Sequence, residues 1–142
     1  MKGKTMKHNI NAAIVYAVLA MAGGVFYREF TKFAGFDGRT ALAFVHTHWF
    51  MLGMVFLLLL VLLEKAFAFE TPATGRWFAV YHVGLNLSVI MLIVRGITEV
   101  LGMPLSRGLD ASISGVAGLG HILLAVGMIA ILSQVAKAVK RV

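Results

Sequence analysis

Long apolar stretches separated by short polar stretches dominate the pattern along the chain. Four segments are almost continuously apolar, at residues 10–26, 41–63, 77–94 and 113–135. Each is close to the roughly 20 residues that an α-helix needs to cross the hydrocarbon core of a bilayer. Polarity does not alternate over about ten positions, as it would in a membrane β-strand. The pattern therefore predicts an all-α, integral membrane four-helix bundle with up-down-up-down topology.

The connections between these segments are short, and no linker or internal repeat separates them. We therefore expect a single transmembrane domain over residues 1–142. Asp110 or Ser112 is the predicted cap of the fourth helix, because short polar side chains accept from free N–H groups at helix starts. Helix-breaking residues mark the three connections: Gly35 and Gly38, then Pro72 and Gly75, then Gly102 and Pro104.

Composition supports a membrane protein. The chain has 142 residues, of which 60% are hydrophobic and 13% charged, whereas about a quarter of the residues in soluble domains are charged. The absence of cysteine excludes disulfides, cysteine-bound zinc, iron–sulfur clusters and haem attached through cysteines.

The charge of +7, from 13 Lys and Arg against 6 Asp and Glu, indicates membrane orientation and not nucleic-acid binding. Eight of the basic residues fall on the side of the predicted bundle that holds both termini, and five on the other side. Because positive loops stay inside, we expect a multi-pass protein of the bacterial cytoplasmic membrane with both termini cytoplasmic. The first segment also resembles a secretory signal peptide, and we interpret it as a retained span.

Histidines are the main ionisable residues within the apolar segments. His46, His48, His82 and His121 all lie in predicted spans, where an ionisable side chain is costly unless it has a partner. One such residue is usually explained by a hydrogen bond between helices. Four of them favour a metal or haem site, since histidine is the commonest metal ligand.

The spacing of the histidines narrows the kind of site. His46 and His48 point about 200° apart on a regular helix, so they face two different neighbours. They lie at a depth similar to that of His121, whereas His82 lies nearer the opposite membrane face, within reach of Asn86. No acidic ligand accompanies them, which disfavours a di-iron carboxylate site. The best-matched pairs are His46 or His48 with His121, one histidine from each of two helices converging on a haem, so His48, His121 and His46 are predicted as metal ligands. His82 is expected either to serve a second cofactor site or to hydrogen bond to Asn86.

Residues 45–56, with the sequence VHTHWFMLGMVF, resemble a haem-ligating helix of the catalytic subunits of haem–copper oxidases and nitric oxide reductases. The resemblance implies that His46 is the ligand of a high-spin haem and His48 that of a low-spin haem. The chain has no counterpart of the copper site of those enzymes, so oxygen reduction is not implied.

The whole chain also resembles a family of small four-helix bacterial membrane proteins of unassigned function. The resemblance is carried by residues 24–30, 46–48, 94–99 and 112–123. It implies the fold and no particular chemistry.

Two arginines near the outer helix ends complete the predicted site. Arg28 and Arg95 are candidates to bind haem propionates, because arginine forms strong paired hydrogen bonds to carboxylates. The alternative is that they pair with Glu29 and Glu99.

The sequence thus predicts a b-type, cytochrome b-like haem protein for electron transfer or for haem sensing or handling. It is expected to hold one haem b, or two, and to have the lipid bilayer and a second copy or redox partner as its other partners. The alternative is a non-haem membrane protein, either a partner subunit or a small proton or metal carrier. No acid, base or nucleophile constellation predicts catalysis.

Overall fold

The computed structural model describes residues 2–141, and the side chains from residue 6 onward. Every regular element in this part of the chain is helical. Helices are expected, because a chain in lipid must satisfy its backbone hydrogen bonds internally. The longer helices are α1 (Lys2–Phe33), α3 (Phe56–Phe67), α4 (Thr74–Val100) and α5 (Arg107–Val139). A 3₁₀ turn (Ala41–Phe44), α2 (Val45–His48) and a π-helix (Trp49–Val55) precede α3.

Four helical stretches are long and apolar enough to cross a membrane. Together the segments from Ala41 to Phe67 form the second of these, which we call the second span. The predicted all-α bundle with four spans is therefore confirmed. The helices extend beyond the apolar segments into the polar flanks, so the four candidate spans are Met6–Phe33, Ala41–Phe67, Thr74–Val100 and Arg107–Val139.

Contacts at the helix ends give the bundle its up-down order. At one end, the Thr40 hydroxyl donates to the carbonyl of Gly96 at 3.1 Å, so the start of the second span lies beside the end of α4. At the other end, Thr74 hydrogen bonds to Gln134, so the start of α4 lies beside the last part of α5. Consecutive spans are therefore antiparallel.

Glycines allow α4 and α5 to pack closely. A Cβ atom added at Gly84 would overlap the backbone of Leu124 on α5. One added at Gly127 would come within 2.8 Å of the backbone of Tyr81 on α4. Membrane helices commonly use small residues for such close approach. This helix pair is the most tightly joined part of the bundle.

The second span departs from a regular α-helix in its middle, and the hydrophobic pattern did not predict this departure. A π-helix leaves the backbone hydrogen-bond ladder locally shifted, and here the Tyr81 hydroxyl donates to the Leu52 carbonyl at 2.7 Å. Gly53 makes room for Tyr16, whose ring would lie 2.5 Å from an added Cβ. Contacts from α4 and α1 therefore support the irregular segment.

The start of α5 corrects one prediction. The helix begins at Arg107, and the Ser106 side chain accepts from the Leu109 N–H. Asp110 and Ser112 lie inside the helix, so the prediction that one of them caps it was wrong. Ser106 has the extended backbone of a cap residue, and the helix continues for two turns before the apolar run starts.

Candidate functional site

His48 on the second span and His121 on α5 lie next to each other. Their ring centres are 6.1 Å apart and their ring planes stand at 89°. Metal–imidazole bonds are about 2.0–2.1 Å long and the nitrogen lies about 1 Å from the ring centre, so two imidazoles on opposite sides of one metal have ring centres about 6 Å apart. The spacing of this pair therefore matches that of two axial ligands.

The hydrogen bonds of the two histidines define which ring nitrogen is free. His48 Nδ1 lies 2.8 Å from the Phe44 carbonyl oxygen, and His121 Nδ1 lies 2.8 Å from the Ala117 carbonyl oxygen. A carbonyl only accepts, so each Nδ1 must carry the proton and donate it. Each Nε2 then keeps its lone pair, which is the arrangement that metal-bound histidines commonly have.

The surface beside this pair is open. His121 is exposed and His48 is half-buried. About one turn and two turns before His121 on α5, a Cβ added at Gly118 or at Gly115 would meet no atom within 4 Å. These glycines are therefore not explained by packing within the single chain, in contrast to Gly84 and Gly127.

Arg95 of α4 lies on the same side of the bundle, toward the end that holds the start of α5. It forms an ion pair with Asp110, and its Nη2 donates to the Ser114 hydroxyl at 2.8 Å. Ser114 lies seven residues before His121, which is about 10 Å along the helix axis. Glu99, which the sequence suggested as an alternative partner of Arg95, instead accepts from the Ala41 N–H at 2.7 Å.

Arg28 is placed differently from Arg95. Its side chain is 81% exposed and pairs with the neighbouring Glu29 at 3.6 Å. The structure therefore gives Arg28 the alternative partner that the sequence suggested. The two arginines therefore have different surroundings, because Arg95 is held by contacts to another helix and Arg28 contacts its neighbour in the chain.

His46 faces the other side of the second span from His48. An added Cβ at Gly24 of α1 would lie 3.7 Å from the His46 Cβ, so this histidine lies against α1. Its Nδ1 is buried and has no hydrogen-bond partner among the described residues. The two neighbouring histidines thus contact two different helices, and only His48 lies beside a second histidine ring.

His82 belongs to a separate polar cluster between α1 and α4. Its Nδ1 lies 2.8 Å from the Tyr16 hydroxyl. The Asn86 amide donates at 2.8 Å to that hydroxyl and at 2.8 Å to the backbone carbonyl of His82. The Trp49 indole completes the cluster by donating to the Asn86 Oδ1 at 3.4 Å. The expected partner, Asn86, therefore binds the His82 backbone, and the His82 ring binds Tyr16.

Sequence reasoning named Asn86 as a possible partner of His82, but it did not assign Tyr16 or Trp49 to this cluster. The available signal was the presence of Tyr16 and Asn86 within apolar segments, where a polar group needs a partner. Their partners lie more than 30 residues away in the chain, so no local pattern reveals the cluster.

Comparison with known proteins gives the family of this chain. The model of the family DUF2871, described as a protein of unknown function, matches residues 6–138. The chain belongs to the DUF2871 family. This agrees with the resemblance to small proteins with four apolar helices and unassigned function. No curated protein and no solved structure matches this DUF2871 chain, so its likeness to haem–copper oxidases remains a resemblance of one segment.

The number of side chains that could bind one metal ion limits the chemistry of this DUF2871 chain. The described residues contain no group of three or more His, Asp or Glu side chains that could hold a metal ion. A pair of imidazoles is too few for a structural zinc site, which takes four protein ligands. Two imidazoles are the number that a six-coordinate haem takes from the protein, because the porphyrin supplies the other four ligands.

Proposed function

We propose that this protein is a b-type haem protein of the membrane in which His48 and His121 are the axial ligands. The observation that carries the proposal is the pair itself, with ring centres 6.1 Å apart and both Nδ1 atoms bonded to main-chain carbonyls. Bound there, the haem would supply a one-electron redox centre. Electron transfer between partners suits such a centre, and haem sensing or handling is the other role that bis-histidine ligation allows.

The residues around the pair suit a large apolar ring. Gly115 and Gly118 leave free space on α5 beside His121, and the exposed Phe44 lies one turn before His48. A porphyrin needs such a surface on both faces of its plane, and small residues let a bulky group approach a helix. The free face of α5 and the second span thus provide the two walls.

Arg95 is the candidate propionate partner. It is held by Asp110 and by Ser114, and Ser114 lies about 10 Å before His121 along α5. Its guanidinium has five N–H donors, so it can bind a propionate while it keeps these partners. Arg28, which is largely exposed and paired with Glu29, is a weaker candidate.

The His48–His121 pair would hold one haem, and a second haem would need His46 or His82 as a ligand. His46 is the residue that the resemblance to haem–copper oxidases assigns to a second haem, but it lies against α1 without a second histidine ring beside it. The Nδ1 of His82 is bonded to Tyr16 in the separate polar cluster between α1 and α4. We therefore propose a single haem b, and the non-haem carrier or partner subunit remains the alternative.

The proposed location is the cytoplasmic membrane of a bacterium with both termini in the cytoplasm. It rests on the distribution of Lys and Arg, of which more lie on the terminal side. A fluorescent protein fused to the C-terminus should fluoresce in cells, while alkaline phosphatase fused there should stay inactive. Active phosphatase would reverse the orientation.

The decisive test is an absorption spectrum of the full chain, produced with added haem and purified in mild detergent. We expect a Soret band and a low-spin reduced-minus-oxidised spectrum. His121→Ala and His48→Ala should each abolish that low-spin spectrum, and added imidazole should restore it in part by replacing the missing ring.

His46→Ala is the matched control, because it removes a histidine from the same helix but from the other face. It should keep the low-spin spectrum. Colourless wild-type protein, or an unchanged spectrum in both the His48 and His121 variants, would contradict the proposal and favour the non-haem alternative.

A further inference from the structure

A cavity of about 400 Å³ lies between α1 and α4, away from the His48–His121 pair. Small-molecule sites in proteins have volumes of about 300–1,000 Å³. The polar part of its lining is supplied by five residues and the apolar part by three. The polar residues are His8, Asn11, Tyr16, His82 and Asn86, and the apolar residues are Ala12, Val15 and Leu19.

The cavity lies at the side of the bundle and within the depth of the spans. Val15 on its rim is 56% exposed, and Asn11 is exposed as well. Both belong to the first candidate span, Met6–Phe33. The opening beside Val15 therefore faces the lipid, and a molecule with an apolar part can enter there.

The hydrogen bonds of the lining define what the cavity offers to such a molecule. The Tyr16 hydroxyl accepts from the Asn86 amide and lies 2.8 Å from His82 Nδ1, to which it can donate its own proton. In that arrangement the neutral His82 ring carries its proton on Nε2, whereas the other tautomer would make Nε2 an acceptor. This Nε2 is buried and has no hydrogen-bond partner among the described residues.

A buried N–H without a partner is destabilising, and a ligand with a carbonyl oxygen would satisfy it. The lining contains no Lys, Arg, Asp or Glu, which suits a neutral headgroup better than the charged phosphate of a lipid. The His82 and Tyr16 rings are stacked at 15° with their centres 5.6 Å apart, and such flat aromatic faces suit a planar ligand.

We propose that this cavity binds the headgroup of a membrane quinone. A quinone combines the three required features: carbonyl acceptors, a planar uncharged ring and an apolar tail that remains in the lipid. His82 donates to one carbonyl, and Asn86 and Tyr16 hold the His82 ring and its proton in place. The proposal does not depend on the haem, because none of these residues belongs to the His48–His121 pair.

The test is a calorimetric titration of the full chain in nanodiscs with a short-chain ubiquinone, with empty nanodiscs measured to subtract partition into lipid. We expect saturable binding with one site per chain. Val15→Trp, which places a large ring at the rim of the cavity, should remove the binding. His82→Phe should raise Kd about tenfold, as expected for the loss of a buried hydrogen bond.

Val18→Trp is the matched control. Val18 is also 56% exposed on α1 but does not line the cavity, so this variant should bind as the wild type does. If His82→Phe does not fold, Val15→Trp decides the question, because that side chain is on the surface. Binding that is equal in Val15→Trp and wild type, or no saturable binding to the wild type, would overturn the proposal.

Discussion

Two histidine regions of the bundle differ in where their hydrogen bonds go. His48 and His121 each donate to a carbonyl four residues back in their own helix. His82 instead bonds to Tyr16 on another helix, and Asn86 and Trp49 extend that contact to the second span. The first pair therefore contributes little to joining the helices and keeps two nitrogens free, whereas the second region joins three spans.

The His48 and His121 rings can therefore be replaced without loss of the fold, whereas the residues bonded to His82 hold the helices together. A ring that is bonded only within its own helix and faces open space can be replaced by a smaller side chain with little loss of packing. A ring bonded across helices in a low-dielectric surrounding leaves its partners unsatisfied when it is removed. We therefore expect substitutions around the His48–His121 pair to change ligand binding, and substitutions in the His82 cluster to change the stability of the fold.

The largest expected effect comes from filling the open face beside His121. Gly118→Phe should abolish haem binding, since the new ring would occupy the space that is free around this glycine. The Soret absorbance of purified protein measures it. Leu119→Phe, at an exposed position on another face of α5, should leave the absorbance unchanged. Full haem content in Gly118→Phe would show that the open face is not the haem site.

Tyr16→Phe should reduce the stability of the fold and leave the haem spectrum as it is. Loss of the hydroxyl leaves the Asn86 amide without one acceptor and His82 without its donor, which should cost about 1–3 kcal/mol. Thermal unfolding in detergent, followed by circular dichroism, measures the change.

Tyr27→Phe is the matched control for that variant. Tyr27 lies on the same helix and is half-buried, and no hydrogen bond of its hydroxyl is found among the described residues, so the midpoint should not move. A shifted haem spectrum in Tyr16→Phe would mean that the two regions are coupled, with Trp49 as the side chain that connects them.

Arg95→Gln should weaken haem binding about tenfold while the low-spin spectrum is kept, because a charged hydrogen bond to a propionate is worth about 1.5–3 kcal/mol and both axial ligands remain. Titration of haem into haem-free protein measures the affinity. Arg28→Gln, at an exposed site, should bind haem as the wild type does. Equal affinities in both variants would remove Arg95 from the proposed site.

The smallest effect is expected at the irregular segment between the two regions. Tyr81→Phe removes the hydroxyl that donates to the Leu52 carbonyl of the π-helix, and we expect a loss of about 1 kcal/mol in unfolding free energy. Chemical denaturation in detergent measures it. A much larger loss, or a loss of the haem spectrum, would mean that this bond also fixes the position of His48.

Part of this arrangement could be predicted from local sequence. The four spans follow from runs of apolar residues, and the opposite directions of His46 and His48 follow from helical geometry. The pairing of His48 with His121 was one of two alternatives that equal depth allowed. The π-helix, the cap at Ser106 and the partners of Arg95 and His82 could not be predicted in the same way, because each depends on a contact that hydropathy does not encode.

By itself, the sequence determined that the chain forms four helices long and apolar enough to span a membrane, because the cost of exposing backbone and apolar groups acts on each segment separately. Tertiary structure alone decided which helix each polar side chain contacts. His121 and His82 are both histidines in apolar helices, yet only the packing of the helices leaves one beside another imidazole and the other bonded to a tyrosine. The physical reason is that a buried hydrogen bond depends on distances between helices, and a run of residues along one helix does not specify them.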